Sequence, residues 1–517
     1  MFEMKRPLFP EILALHGKWR SHKPAIVSAN GVTNWGEFIR TTDRVANGLR
    51  AAGLDTGDRV GIVMSNEPAT IEVIFSTIRT GMIAVPINLS VTDSAMETML
   101  NDAGISALFV SADQVWRTDA VRANIPSLKE NALFCAGTPS APLPAAWQSY
   151  EEWLARQKAD DNAVSIAENS PSNIIYSSGT TGVPKGIVHT QLGRLDWAYD
   201  LSIALRYHSG ARTLLTLGLY SNISWVMMLC TLLAGGTLVV QQSFEAGSVL
   251  HAIAEHRITH TAMVPTQYRR LLDHRNIREA YLSTVQAIMS CGSPLPPDLK
   301  ARLFEVFPCG VIELYGLTEG VITTLDPEDA AGRLASVGKP IQGTDIKLID
   351  EDGHEVPRGD PGEVVGLCRF TMQGYWNRAD ATAEATWLDK NGQPWLRTGD
   401  IGRLDQEGFL YLVDRKKDLI LSGGQNIYPA DIETVLLSHD AVLECAVIGV
   451  PHAEWGETPF AVVVPRTNAP TPEEMRAWVN ARVGKQQRVS AVVFKEQLPR
   501  NPNGKVLKRE LRVMFRA

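Results

Sequence analysis

The stretch that decides the fold of this chain is Tyr176-Ser177-Ser178-Gly179-Thr180-Thr181-Gly182-Val183-Pro184-Lys185-Gly186, which follows the apolar pair Ile174-Ile175. Its glycines let backbone amides approach an anion closely, its hydroxyls add hydrogen-bond donors, and Lys185 can offset the charge of a triphosphate. The stretch therefore predicts a phosphate-binding loop after a buried strand. The plainer alternative is a Gly/Ser-rich turn without a ligand.

A P-loop NTPase is disfavoured by the same residues. A Walker A loop has the pattern G-x-x-x-x-G-K-[ST] ahead of a helix. Here Pro184 stands at the position of the second glycine, and Gly186 replaces the hydroxyl residue that binds magnesium. The stretch therefore indicates a different class of nucleotide-binding protein.

Further stretches downstream are informative when they are taken together with this loop. They are Ser290-Cys291-Gly292-Ser293-Pro294-Leu295, Tyr315-Gly316-Leu317-Thr318-Glu319, Trp395-Leu396-Arg397-Thr398-Gly399-Asp400, Asp414-Arg415-Lys416-Lys417-Asp418 with Ser422-Gly423-Gly424-Gln425-Asn426-Ile427-Tyr428-Pro429, and Pro499-Arg500-Asn501-Pro502-Asn503-Gly504-Lys505. In this order they resemble the motifs of the adenylate-forming superfamily, which includes acyl-CoA synthetases, firefly-type luciferases and adenylation domains of nonribosomal peptide synthetases. The resemblance covers nearly the whole chain and is closest to an acyl- or aryl-CoA ligase.

The resemblance implies an ATP-dependent carboxylate–CoA ligase. In the first half reaction a carboxylate attacks the α-phosphate of ATP, giving an acyl adenylate and pyrophosphate. In the second half reaction coenzyme A takes the acyl group and AMP is released. ATP, coenzyme A and a small carboxylic acid are then substrates, and Mg²⁺ is the expected metal ion.

The resemblance also implies which residues bind ATP. They are Ser177, Ser178, Gly179, Thr180, Thr181, Gly182, Lys185, Gly292, Ser293, Pro294, Glu313, Tyr315, Gly316, Asp400 and Arg415. An aromatic face at Tyr315 suits adenine, and the two oxygens of Asp400 suit the ribose hydroxyls. Glu313 either addresses the edge of the base or is a plain strand residue, and both alternatives stay open.

Lys505, Glu319 and Thr318 are the catalytic residues that the resemblance implies. Attack of a carboxylate on a phosphate brings negative charges together, so a cation on the developing oxygens lowers the barrier. Lysine is a compact, mobile point charge, which suits this role for Lys505. Glu319 carries the oxygen ligands that magnesium prefers, and we expect it to hold the ion that bridges the phosphates.

The two half reactions need different arrangements, because the lysine loop that serves adenylation would block the path of the thiol. The solution known for the family is rotation of the C-terminal domain about a hinge. Lys417 is the implied hinge residue, with an ordinary surface lysine as the alternative. Gly423 and Gly424 are implied to line the coenzyme A tunnel, where a narrow pantetheine arm passes close to backbone.

The acid pocket implied by the resemblance includes Tyr220, Ser221 and Trp225. No lysine or arginine lies within residues 220–226 to pair with a second carboxylate. We therefore expect a neutral aryl or aliphatic monocarboxylic acid. Relatives often carry histidine where Ser221 and Gln191 stand, so a histidine gate cannot be assumed.

Patterning predicts an α/β fold with more than one domain. Apolar runs such as Val60–Met64 alternate with helical patterns such as Trp35–Leu54, which favours layered α/β subdomains. Short strands with Gly, Asp and Pro turns between residues 338 and 413 predict a β-barrel-like subdomain. We expect a large N-terminal AMP-binding domain over residues 1–414 and a small mobile α+β domain over residues 415–517.

Composition restricts the partners. The formal net charge of −7 gives no general attraction to nucleic acid or anionic membranes. The longest apolar stretch, residues 225–240, is too short to span a bilayer. Residues 1–10 lack the sustained hydrophobic run and small-residue cleavage site of an export signal, so we expect none. Six scattered cysteines predict reduced thiols. We expect a cytoplasmic protein with no nucleic-acid partner and no membrane span; a homodimer stays open.

Three other functions remain as alternatives. An acyl-AMP ligase or stand-alone adenylation enzyme that loads an acyl carrier protein would share the same catalytic core. A non-catalytic nucleotide-binding relative is disfavoured by the presence of both Lys505 and Glu319. A luciferase-like monooxygenase has no feature of the sequence in its favour.

Overall fold

The computed structural model describes residues 6–160, 164–177, 184–422, 425–453, 455–500 and 506–515. These residues form two large sheets of eight and nine strands and two smaller sheets of five strands each.

The N-terminal half alternates helices and strands, as the sequence predicts. Up to residue 155 the elements are α1 (Phe9–Trp19), β1 (Pro24–Ser28), β2 (Gly31–Asn34), α2 (Trp35–Ala51), β3 (Arg59–Val63), α3 (Pro68–Arg79), β4 (Ile83–Pro86), α4 (Asp93–Ala103), β5 (Ala107–Ser111), α5 (Val115–Arg122), β6 (Leu133–Ala136), β7 (Gln148–Ser149) and α6 (Tyr150–Ala155). They are followed by β8 (Pro171–Ser177), β9 (Lys185–Thr190), α7 (Gln191–Ala204), β10 (Arg212–Leu215), α8 (Asn222–Leu233), β11 (Thr237–Val240), α9 (Ala246–Glu255), β12 (His260–Met263), α10 (Pro265–Leu272), β13 (Ala287–Ser290), α11 (Pro297–Val306), β14 (Ile312–Leu317), β15 (Gly320–Leu325) and β16 (Lys339–Pro340).

The rest of the chain is richer in strands. Its elements are β17 (Thr344–Ile349), β18 (Gly362–Cys368), β19 (Gly374–Tyr375), α12 (Ala379–Glu384), β20 (Thr386–Leu388), β21 (Pro394–Leu404), β22 (Leu410–Arg415), β23 (Ile420–Ser422), β24 (Gln425–Ile427), α13 (Pro429–Leu437), β25 (Val442–His452), β26 (Gly456–Pro465), α14 (Pro472–Asn480), β27 (Val492–Phe494) and α15 (Lys508–Met514).

The two large sheets share one layer of helices. Their strand orders are β19-β9-β8-β4-β3-β5-β6-β7 and β16-β15-β14-β13-β12-β10-β11-β1-β2. Side chains of a strand alternate between its faces, so Leu215 packs between the sheets while Leu214 packs on the opposite face. Helices α1–α3 and α6–α8 contribute to the shared core, whereas α4 and α5 cover one outer face and α9–α11 the other. The result is five layers, with both faces of each largely parallel sheet buried.

The predicted β subdomain corresponds to an antiparallel sheet of β17, β18, β21, β20 and β22. Its apolar face, with Val364 and Leu410, packs against Val321 of β15. The subdomain is therefore anchored to the strand that directly follows the predicted Thr318-Glu319 motif.

The C-terminal residues form a separate α+β unit around the long β25–β26 hairpin. Val447 faces the core that α13 and α14 cover, while the next residue, Ile448, faces the core that α15 covers. Between β22 and β23 lies a single turn of 3-10 helix, Lys416–Asp418. The division at residues 414 and 415 stays a prediction.

No helix in the described part of the chain is long and apolar enough to cross a bilayer.

A buried carboxyl group in the shared helical layer makes the stability of the fold depend on pH. Glu72 of α3 is buried and accepts a hydrogen bond of 2.9 Å from the hydroxyl of Tyr150. Burial raises the pKa of Glu72 from 4.5 to about 7, against the lowering effect of the Tyr150 hydrogen bond. In the unfolded chain this carboxyl ionises near its ordinary pKa. Between the two pKa values only the folded chain keeps the proton, so stability falls as the pH rises through this window.

Replacement of Glu72 by Gln tests this dependence. Gln keeps an acceptor for Tyr150 but does not ionise, so the variant should match the original chain near pH 4.5. At pH 8 it should be more stable by roughly 3 kcal/mol, the equivalent of the shift in pKa. Urea unfolding at both pH values measures the difference, with the exposed Glu305→Gln as control. A difference in stability that does not change with pH would contradict the assignment.

Candidate active site

The predicted phosphate loop connects two antiparallel strands of the eight-stranded sheet. β8 and β9 pair with Ile174 opposite Val188, and Ser177 stands opposite Lys185 at the base of the loop. The structure therefore places Ser177 and Lys185 side by side. Other predicted site residues lie outside the described residues, namely Ser178, Gly179, Thr180, Thr181, Gly182, Gly423, Gly424 and Lys505.

Lys185 and Glu319 are brought together by a tyrosine that the sequence analysis did not select. The ammonium of Lys185 lies 4.9 Å from the centroid of the Tyr375 ring. The hydroxyl of Tyr375 donates to Oε1 of Glu319 over 2.8 Å. Desolvation raises the pKa of Glu319, and this hydrogen bond opposes the rise. A cation and a carboxylate thus stand together beside the phosphate loop, as a site for phosphates and a divalent cation requires.

The predicted adenine and ribose residues form a second connected group. The hydroxyl of Tyr315 donates to Oδ2 of Asp400 over 2.8 Å, and Nε of Arg415 lies 2.9 Å from Oδ1. Asp400 and Arg415 are opposite each other in the β21–β22 pair. Each carboxylate oxygen has a further lone pair for a ligand hydroxyl. The ring of Tyr315 is only half-buried, which leaves aromatic surface for a base.

Glu313 lies behind the predicted base-binding turn. Its side chain is buried, it forms an ion pair with the fully buried Lys300, and its Oε1 accepts a hydrogen bond from the backbone nitrogen of Leu295 over 3.1 Å. Burial raises the pKa of Glu313 against the opposing charge of Lys300. The hydrogen bond to Leu295 ties Glu313 to the turn at Gly292, Ser293 and Pro294, and the base-edge role of Glu313 stays a prediction.

The turn itself needs glycine. Gly292 has φ = +90°, a left-handed conformation, and a Cβ there would lie 3.0 Å from the side chain of Ile223 in the predicted acid segment. The base-binding turn and the start of α8 are therefore in direct contact.

A chain of buried polar groups supports the Thr318-Glu319 motif from below. Nε2 of His189 lies 2.7 Å from the backbone oxygen of Thr318, and Nδ1 lies 3.4 Å from the amide nitrogen of Asn173. Burial lowers the pKa of His189 well below its usual value, and the neighbouring Arg194 adds to this effect. A neutral ring then donates from Nε2 and accepts at Nδ1.

Arg194 of α7 joins this series of hydrogen-bonded groups, and the sequence analysis did not select it. Its Nε donates to Oδ1 of Asn173 over 2.8 Å, and its Nη1 donates to Oδ1 of Asn222 over 2.9 Å. The available signal was an arginine in the first turns of a helix that carries apolar residues on both sides, at Leu192 and Leu195.

The predicted acid segment lies at the N-terminus of α8. Ser221 is buried and caps the helix, because its hydroxyl accepts from the backbone nitrogen of Ile223. Tyr220 is half-buried, with its pKa raised by burial. Trp225 is completely buried, and its indole nitrogen donates to the backbone oxygen of Leu219 over 2.8 Å. The part these three residues play in acid binding stays a prediction.

Charged residues of the predicted hinge hold partners on different elements. Arg415 pairs with Asp400, Lys416 Nζ lies 3.0 Å from Oε2 of Glu363, and Asp418 pairs with Arg512 over 2.8 Å. Lys417 is exposed, and partial desolvation of its ammonium group lowers its pKa. The hinge role of Lys417 stays a prediction.

The comparisons with known proteins agree with this arrangement of motifs. A profile of AMP-binding enzymes matches residues 16–376, and a profile of the AMP-binding enzyme C-terminal domain matches residues 431–505. The chain belongs to the AMP-binding enzyme family. The predicted membership of the adenylate-forming superfamily and the predicted α/β fold with a separate C-terminal domain are thereby confirmed.

Several relatives of this family member align along nearly its whole length. A feruloyl-CoA synthase of Amycolatopsis sp is 33% identical over 500 residues, which are 96% of each chain. The long-chain-fatty-acid–CoA ligase FadD13 of Mycobacterium tuberculosis is 33% identical over 481 residues, 92% of each chain. ATP-bound MatB from Rhodopseudomonas palustris superposes with a TM-score of 0.87 at 27% identity, over 98% of this chain and 99% of that chain. The predicted enzyme class, an AMP-forming acid–thiol ligase, is confirmed.

The contribution of the buried Lys300–Glu313 ion pair, which lies behind the base-binding turn, to the free energy of unfolding can be tested. Removal of one member leaves a buried charge without its partner, so Lys300→Met and Glu313→Gln should each lower the free energy of unfolding by roughly 3–5 kcal/mol. The double variant should recover a large part of that loss. Urea unfolding of all four proteins measures the coupling free energy. Losses that simply add in the double variant would contradict the pairing.

Proposed function

We propose that this AMP-binding enzyme is a carboxylate–CoA ligase that forms an acyl adenylate from ATP and then transfers the acyl group to coenzyme A. The observation that carries the proposal is the convergence of separate motifs on one site. Lys185 meets Glu319 through Tyr375, and Tyr315 and Arg415 both contact Asp400. These side chains come from β9, the β14–β15 segment, β19 and the β21–β22 pair, so separate parts of the sequence contribute to the site.

Each group has a chemical task in adenylation. The Tyr315 ring stacks on adenine, and the oxygens of Asp400 accept from the ribose hydroxyls. Lys185 offsets the charge of the phosphates. Glu319 offers the carboxylate oxygen that suits Mg²⁺, and a bound ion would neutralise phosphate charge there.

The second half reaction needs a different arrangement of the C-terminal residues. Lys505 approaches the α-phosphate and the carboxylate during adenylation, and then leaves by rotation about Lys417. Gly423 and Gly424 then line the tunnel for the thiol. The one-turn connection between β22 and β23 supports this role, since a short link with exposed Lys417 can change its backbone angles without disturbing a core.

A neutral aryl or aliphatic monocarboxylic acid is the substrate class that the residues of the acid segment favour. Coenzyme A is the proposed acceptor, since the feruloyl-CoA synthase and FadD13, both named for CoA ligation, align over nearly the full length of this chain. A fatty acid–[acyl-carrier-protein] ligase of Streptomyces coeruleorubidus aligns over 97% of this chain as well. The phosphopantetheine arm of an acyl carrier protein offers the same thiol and is the second candidate acceptor.

Pyrophosphate release across a panel of aryl and aliphatic acids tests the proposal directly. Each acid is supplied with ATP and Mg²⁺, with and without coenzyme A, and AMP and acyl-CoA are followed by mass spectrometry. One or more acids should yield AMP and the CoA thioester together. Pyrophosphate without any acyl-CoA would transfer the second step to a carrier protein, and no pyrophosphate from any acid would overturn the proposal.

Lys505→Ala separates the two half reactions. Without the ammonium on the developing oxygens, exchange of pyrophosphate into ATP should fall by about 100-fold or more. Thioester formation from supplied acyl adenylate should stay within about threefold, a deliberately wide margin for a step that does not use this charge. The exposed Lys485→Ala on the same C-terminal unit is the matched control. Equal loss of both half reactions would contradict the role of Lys505.

A further inference from the structure

Arg194 is a buried cation without a carboxylate partner among the described residues. Its relative exposure is 3%, and its guanidinium contacts the rings of Trp197 and Trp225, with its carbon 4.7 and 5.0 Å from their centroids. Burial lowers its pKa to about 9, so the group is still charged at neutral pH. A buried, unpaired charge is costly. Because this costly group lies between the acid segment and the Thr318-Glu319 motif, we expect Arg194 to have a function in the site.

The guanidinium fixes the orientation of Asn222, the first residue of α8. Arginine has donors only. The oxygen of the Asn222 amide must therefore face Nη1 of Arg194, at 2.9 Å. The amide nitrogen is then on the opposite side, and no described residue accepts a hydrogen bond from it. Asn222 is half-buried and lies between Ser221 and Ile223, the latter in contact with the base-binding turn at Gly292.

The same guanidinium also fixes the hydrogen bonds that lead from Arg194 through Asn173 and His189 to Thr318. Its Nε faces the oxygen of Asn173, so the Asn173 amide nitrogen faces His189, which in turn donates to the backbone of Thr318. One cation thus sets the direction of the hydrogen bonds in the series from Asn222 through Asn173 and His189 to Thr318. The third nitrogen, Nη2, is buried without a hydrogen-bond partner. Arg194 also lines, with Gln191 and Trp225, a cavity of about 10 Å³, room for one water molecule.

We propose that Asn222 determines which acids this enzyme accepts, by donating its amide N–H groups to an oxygen of the acid other than the reacting carboxylate. Arg194 is the positioning residue that keeps these donors turned towards the acid. The substrate class is then a monocarboxylic aryl or alkyl acid that carries an ether, hydroxyl or oxo oxygen. This inference rests on the proposed function, and it refines the substrate class predicted from residues 220–226.

The positions of Lys185 and Glu319 indicate that Asn222 binds an oxygen of the acid that does not belong to the reacting carboxylate. The reacting carboxylate has to meet the phosphates near Lys185 and Glu319, which belong to β9 and to the β14–β15 connection. Asn222 instead begins α8, and three intervening residues, Arg194, Asn173 and His189, connect it by hydrogen bonds to Thr318. A site with preset donors rejects an analogue that lacks the acceptor, because the donors are then left unpaired and desolvated.

Isosteric acids test the proposal. The pairs are the 2-, 3- and 4-isomers of 3-(methoxyphenyl)propanoate against the matching ethylphenyl acids, and 6-methoxyhexanoate against octanoate. Pyrophosphate release gives kcat/KM for each acid. At least one methoxy acid should exceed its ethyl or methylene isostere by roughly 10- to 100-fold, the preference expected when donors would otherwise be unpaired. Wild-type activity with several acids but no such preference would overturn the inference and leave the proposed ligase standing; no activity with any acid would overturn both.

Variants separate the specificity role from a structural one. Asn222→Leu should bring the ratio for each pair close to one while KM for ATP stays unchanged. Arg194→Met should lose the same preference and also raise KM for ATP, because the series of hydrogen bonds to Thr318 is lost. Arg194→Lys should restore the charge but not the preference, since one ammonium cannot hold both asparagines. Exposed Arg270→Met in α10 is the control for an arginine-to-methionine change. An unchanged ratio in Asn222→Leu would refute the assignment, even if Arg194→Met fails to fold.

Discussion

Two largely parallel sheets that share one layer of helices impose the main constraint on this molecule. Because both faces of each sheet are covered, the site has to form where strands end and their connections emerge. Lys185 at the start of β9, Thr318 after β14 and Asn222 at the start of α8 all occupy such positions. Helix α7 lies within the shared layer, so a polar residue on its buried side, such as Arg194, can reach groups of both sheets. The shared helical layer therefore determines which loops of the two sheets can be connected by hydrogen bonds.

Local charge rather than net charge governs the site. The chain carries a formal net charge of −7, yet its ligands are anions. Lys185, Arg415 and the buried Arg194 supply positive charge where it acts at short range and is weakly screened by solvent. The carboxylates Asp400, Glu313 and Glu319 are each held by a donor or cation, namely Arg415 with Tyr315, Lys300 and Tyr375. Such pairing keeps acceptors in place without leaving charges unpaired.

Contiguous motifs could be predicted from the sequence, whereas partners from distant segments could not. The phosphate loop, the Tyr315–Glu319 segment and Asp400 are short stretches whose chemistry is visible in their own residues. Tyr375, His189 and Lys300 act only through contacts with residues far away in the chain. Residues 220–226 carry no lysine or arginine, but the guanidinium of Arg194, 28 residues earlier in the sequence, reaches Asn222 within that segment. The α/β layering was predictable because strand and helix periodicities are local, while the order of strands in each sheet is set by long-range pairing.

The contacts on either side of the proposed hinge bear on the proposed rotation of the C-terminal domain. Asp414 and Arg415 are neighbours, but they hold opposite sides of the connection. Arg415 stays with Asp400 of the N-terminal part as its partner in the β21–β22 pair, whereas Oδ2 of Asp414 accepts from the backbone nitrogen of Ala430 at the start of α13 over 3.0 Å. Rotation beyond Arg415 would therefore break the contact of Asp414 while keeping that of Arg415. Burial raises the pKa of Asp414 despite the nearby Lys508, so an ionised Asp414 would gain hydration on release. The carboxyl group of Asp414 is thus hydrogen-bonded to Ala430 before the rotation and hydrated after it, so this contact favours neither arrangement strongly. An enzyme that carries out two half reactions in turn needs arrangements of similar free energy.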